Sequence, residues 1–114
     1  MEHEVKKVAK IVDEIITYFL NTFGCPSFQL KYNHDETAFR LEFTFEGVAM
    51  EPRELERLRE KLTAHRQTEL EDYYWQLTGE SEDDNELALV AMMSDDIDLE
   101  HDSKTLRLKL RRDR

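Results

Sequence analysis

Hydrophobic residues recur along the chain with two different spacings, and the changeovers divide it into elements. From Val5 to Phe23, apolar side chains at 5, 8, 9, 12, 15, 16, 19, 20 and 23 follow helical spacing and predict an amphipathic helix over 4–23. Gly24-Cys25-Pro26 ends it, because glycine accepts a left-handed stop and proline cannot continue a helix.

The period then drops to two. Phe28, Leu30 and Tyr32 alternate with Gln29, Lys31 and Asn33; beyond a polar stretch at 33–36, Phe39, Leu41, Phe43 and Phe45 alternate with Arg40, Glu42, Thr44 and Glu46. This predicts a hairpin over 27–46 with one apolar face. The expected register sets Tyr32 opposite Phe39, Leu30 opposite Leu41 and Phe28 opposite Phe43, and a one-residue slip would turn the whole set to the wet face.

After Gly47 the spacing is helical again, with Pro52 suited to a first turn and Leu55, Leu58 and Leu62 three and four apart, predicting a helix over 51–66. Thr68-Glu69-Leu70-Glu71 has the form of a capping box and opens a second helix over 68–78 that carries Leu70, Tyr73, Tyr74 and Leu77. Gly79 closes it, and the acidic run 80–84 is too charged to pack, so 79–84 reads as a loop. A helix over 85–94 is apolar nearly all round, from Leu87 to Met93, and should be buried. The last hairpin, 96–111, turns at 101–104 and sets Asp98 opposite Arg107, Asp96 opposite Lys109, Ile97 opposite Leu108 and Leu99 opposite Leu106. The expected fold is therefore a single α+β domain over 1–114. It is a two-layer sandwich in which a mainly antiparallel four-stranded sheet of two hairpins has helices packed on one face, covering both hairpins.

Composition narrows what such a domain does. The chain has 114 residues, enough for one core, and carries 16 Lys and Arg against 26 Asp and Glu, a formal net charge of -10. That field repels phosphate backbones and anionic lipid, so nucleic acid and membrane are not expected partners. No apolar run is long enough to span a bilayer and the N-terminal residues lack a basic leader region, which with a single cysteine, Cys25, reads as a cytoplasmic protein in a reducing compartment.

Candidate chemistry is sparse. His3, His34, His65 and His101 have no metal-site spacing, Cys25 has no histidine near it in sequence, and no P-loop, G-x-G-x-x-G or G-x-S-x-G motif occurs. No catalytic residue and no metal site is assigned; Glu82, Asp83 and Asp84 are weak candidates for Ca²⁺ or Mg²⁺, since their run lacks the glycine and terminal glutamate of an EF-hand loop. Tyr73, Tyr74 and Trp75 cannot all face inward from one helix, which makes them candidates for binding a partner.

Three stretches carry a resemblance to a known family. The first helix contains Glu14 with Tyr18 four residues on; Glu46-Gly47-Val48-Ala49 follows the second predicted strand; and Leu87 to Leu110 runs from a buried helix through an Asp-rich exit into a strand of alternating leucines. In this order the chain resembles the Bergerat ATP-binding fold of gyrase, histidine kinases and the anti-sigma serine kinases. The resemblance makes Glu14, Tyr18, Glu46 and Gly47 the equivalents of nucleotide-pocket positions. The family's magnesium-binding Asn is Tyr18 here, its adenine-binding Asp is Glu46, the second glycine of that turn is Ala49, and the acidic run 80–84 replaces the Gly-x-Gly stretch. Carboxylates there oppose a triphosphate, which needs bare N–H groups at a helix N-terminus. The chain has only 3 Gly where average usage would give roughly 8.

The resemblance with these departures implies a non-catalytic ATPase-fold domain acting by protein–protein interaction, as a regulator of signalling or of a sigma factor, without ATP or Mg²⁺. The alternatives are an ATP-binding serine or histidine kinase of the anti-sigma type and an acidic metal-binding or self-associating module, the last with a possible homodimer.

Overall fold

The computed structural model describes residues 3–74 and 83–114; the side chains of Tyr74 and of residues 83–86 are outside that description. The chain runs α1 (Glu4–Phe23), β1 (Ser27–His34), β2 (Ala38–Glu46), α2 (Pro52–Lys61), α3 (Thr68–Tyr74), α4 (Asp83–Met92), β3 (Asp96–Asp102) and β4 (Thr105–Asp113). The strands form one antiparallel sheet in the order β1-β2-β4-β3, so the two hairpins join through their second strands. The fold is α+β, as the alternating periods predict. The shortest dimension, 21 Å, corresponds to one sheet and one helix layer at about 10 Å each. No helix among the described residues is long and apolar enough to cross a membrane.

The core lies between the layers. Ile11, Ile15 and Phe19 of α1 and Leu87, Val90 and Met93 on or next to α4 meet Phe43 and Phe45 of β2 and Leu106 and Leu108 of β4, all buried. Phe19 stacks on Phe45 with centroids 4.8 Å apart.

In both hairpins the register lies two residues from the expected one, and the second turn is also two residues tighter. His34 pairs with Phe39, Tyr32 with Leu41, Leu30 with Phe43 and Phe28 with Phe45. The first register is set by Asp35, whose Oδ1 accepts from the Thr37 amide (2.8 Å), the Thr37 hydroxyl (2.7 Å) and the Ala38 amide (3.0 Å). In the second hairpin Ser103-Lys104 is a two-residue turn, with Ser103 at φ 62°. Asp96 consequently pairs with Arg111, Asp98 with Lys109, Glu100 with Arg107 and Leu99 with Leu108. A shift of two preserves the faces and still opposes unlike charges.

Helix boundaries differ where the backbone finds partners outside its own helix. The helix expected over 51–66 ends at Lys61, and 62–67 runs as a strap whose His65 and Gln67 amides donate to Ala91 O (3.0 Å) and Met92 O (3.1 Å). Carbonyls at the end of α4 lack intrahelical donors, and this strap supplies them. Asp83 and Asp84, expected in the acidic loop, belong to α4. The remainder of that loop and the end of the 68–78 helix lie outside the described residues.

Helical cover does not extend over both hairpins. Leu30 is 37% and Tyr32 47% exposed, although both point to the same side of the sheet as the buried Leu41 and Phe43.

Candidate functional site

The four positions that the resemblance names fall on α1, at the end of β2 and in the turn that follows it. Glu14 is buried on α1 and ion-paired with Lys10 at 3.0 Å. Tyr18, one turn on, packs edge-to-face against Phe19 and Phe23 and borders a cleft toward Glu54 and Leu58 of α2. Glu46 has the strand parity of Arg40 and Glu42, so it projects from the helix-free face; its Oε1 accepts from the Thr105 hydroxyl at 2.9 Å. Gly47 has φ 75°, and a Cβ there would sit 2.7 Å from Pro26 Cδ. Its glycine is thus required by a close approach within the fold. The following residue, Val48, is buried and tied to the far hairpin: its amide donates to Lys104 O (2.9 Å) and its carbonyl accepts from His101 Nε2 (2.7 Å).

Of the aromatic candidates, Tyr73 is 70% exposed. Tyr74 ends α3, while its side chain, Trp75 and Glu82 lie outside the described residues, as do the side chains of Asp83 and Asp84. No group of three or more His, Cys, Asp or Glu among the described residues is placed to hold a metal ion. Cys25 is buried, which pushes its thiol pKa up and away from the reactive thiolate.

The densest polar constellation among the described residues centres on an arginine that no motif marks. Arg112, 1% exposed, forms a two-pronged pair with Glu71: Nη2 to Oε2 at 2.6 Å and Nη1 to Oε1 at 2.9 Å. Its guanidinium also donates to both carboxylate oxygens of Glu4 (3.1 and 3.0 Å) and to Met93 O (2.8 Å). Lys7 Nζ bonds Glu71 (2.8 Å) and Asp72 (2.6 Å), and Arg66 bridges Glu71 (2.9 Å) to Asp95 (2.5 Å). Three cations and four carboxylates thereby lock α1, the 62–67 strap, α3 and the end of β4.

Burial pushes the Glu71 pKa up, but hydrogen bonds from Arg112 and Lys7 and the charges of Arg112 and Arg66 prevail and hold it at about 2. Burial likewise works against the charge on Arg112, and the bonds and charges of Glu71 and Glu4 more than offset it, raising its pKa. Every donor and acceptor at the centre is engaged, so the cluster is built to hold elements together. Its sequence signal was the alternation Leu106-Leu108-Leu110, which continued to 112 and placed an arginine on the core face. Glu71, expected to reach back to Thr68 as a capping residue, instead turns its carboxylate inward.

The sheet has two unlike edges. Along β3, Arg59 of α2 donates from Nε (3.2 Å) and Nη2 (2.9 Å) to Leu99 O, and four acidic residues, Asp96, Asp98, Glu100 and Asp102, line the strand. Along β1 no side chain among the described residues caps the backbone in this way. No family model matches this chain, and comparison with curated proteins and with solved structures likewise yields no match.

Proposed function

We propose that the chain is a non-catalytic domain with the layout of the histidine-kinase-like ATPases, acting by protein contact as a regulator in a signalling or sigma-factor pathway. The observation that carries this reading is the divergence of the residues a nucleotide pocket needs together: Glu14 and Tyr18 belong to the helix layer and its core, whereas Glu46 projects from the opposite sheet face. A nucleotide reaching for Glu14 would have to displace packed side chains, and the glycine at 47 serves Pro26. Leu30, Tyr32 and Tyr73, all more than a third exposed, leave apolar surface at the periphery, which is the material of a protein interface.

Thermal unfolding with Mg-ATP tests the reading. The melting temperature is expected to stay constant up to millimolar nucleotide. A working pocket at a hundredfold excess over Kd would raise it by roughly 10 °C, and such a rise would restore the kinase alternative.

A further inference from the structure

At the first hairpin's turn, the Asp35 amide donates to Ala38 O at 3.0 Å, and on the other side of β2 the Arg114 amide donates to Thr37 O at 2.9 Å. Antiparallel ladders alternate bonded and non-bonded pairs. Counting back from Asp35, β2 uses the N–H and C=O groups of Asn33, Lys31, Gln29 and Ser27. Those of Phe28, Leu30 and Tyr32 therefore point to the free edge, the same three residues whose side chains form the thinly covered apolar row. Natural sheets guard such edges with charge, proline, bulges or a covering element. The β3 edge has its acids and Arg59, while Ser27–Asn33 contains one charge, Lys31, and no proline.

From this edge we infer that β1 is the seat of self-association: two copies pair β1 to β1 antiparallel about a twofold axis at Leu30, extending the sheet to eight strands. The strand is self-complementary about that residue. Centred on Leu30, the pairing sets Phe28 against Tyr32 of the second copy, Gln29 against Lys31 and Ser27 against Asn33, and the outward-pointing groups of residues 28, 30 and 32 bond one another. Centring on Lys31 would face two lysines across a close pair, and centring on Tyr32 would bring Phe28 against Glu36, so both registers are disfavoured. Pairing through the β3 edge would oppose two acidic rows. Each copy carries a formal net charge of -10, so the dimer forms against long-range repulsion and salt tightens it. This dimer and the absence of nucleotide chemistry rest on different residues, so either can fail without the other.

Sedimentation equilibrium of the full chain at low and high salt tests it, with Leu30→Lys and Leu30→Pro alongside. The Leu30 amide is not used within the hairpin, so proline there is compatible with the hairpin's own ladder and removes the central intermolecular bond. A monomer–dimer equilibrium that tightens with salt is expected, together with association at least about tenfold weaker in whichever variant keeps the native circular dichroism spectrum. Amide exchange at Phe28, Leu30 and Tyr32 should slow as protein concentration rises. A chain that stays monomeric to about 0.5 mM overturns the inference in favour of a different protein at this edge. Association that weakens with salt, or that leaves exchange at those three amides unchanged, overturns it in favour of pairing through the charged sheet face.

Discussion

Arg112 shows how one residue can close a fold. Its guanidinium holds Glu71 and Glu4 and a carbonyl at the end of α4 from a position that would otherwise be a fourth leucine in the row. Removing one partner of a buried pair leaves the other charge stranded, so Arg112→Ala should cost about 3–5 kcal/mol, measured by urea unfolding at neutral pH. Glu71 gives the acid dependence. Its pKa falls from 4.5 to about 2 on folding, so its contribution is complete above pH 4.5 and is lost as the pH drops toward 2, roughly 3 kcal/mol in all. Stability measured between pH 6 and pH 3 should fall along that limb, and Glu71→Gln should flatten it; an unchanged slope in that variant would remove Glu71 from the account. The cluster was only partly legible in the sequence. Period two placed Arg112 on the core face, but nothing local indicated that Glu71, Lys7 and Arg66, spread over three segments, would gather around it.

Among the elements, what sequence conveyed well was which way side chains face, and what it conveyed poorly was where turns close. Phe39 to Phe45 and Leu106 to Leu110 alternate so regularly that only one face could be buried, yet any register shifted by two satisfies the same alternation. The decision fell to Asp35, whose side chain closes the first turn, and to Ser103, which accepts a positive φ in the second. Ser103→Gly should therefore leave stability unchanged or raise it by up to about 1 kcal/mol, because glycine adopts that conformation without a Cβ penalty. Gly47→Ala should do the opposite. Positive φ and a Cβ 2.7 Å from Pro26 make a loss of roughly 1–3 kcal/mol the expected outcome of chemical denaturation. The segment 62–67 leaves the helix for a similar reason: its backbone amides at His65 and Gln67 serve the end of α4, a neighbour that local pattern cannot reveal.

For the whole molecule, the four positions that the resemblance singles out are divided among the helix layer, a tight turn and the open sheet face. The order helix, hairpin, helices, hairpin was legible in the alternation of periods. What the sequence could not convey was that Glu46 and Glu14 would stand on opposite sides of the sheet, because that depends on strand parity combined with the side the helices choose. The same choice leaves β1 at the margin, with Leu30 and Tyr32 uncovered, and explains why the apolar surface available for contact lies there. Whether this domain works through its surface and not through a nucleotide is decided by titrating Mg-ATP into the isotopically labelled chain and following backbone amide resonances. The amides of Glu14, Tyr18, Glu46 and Gly47 should keep their positions up to millimolar nucleotide; saturable shifts at those four residues would contradict the claim.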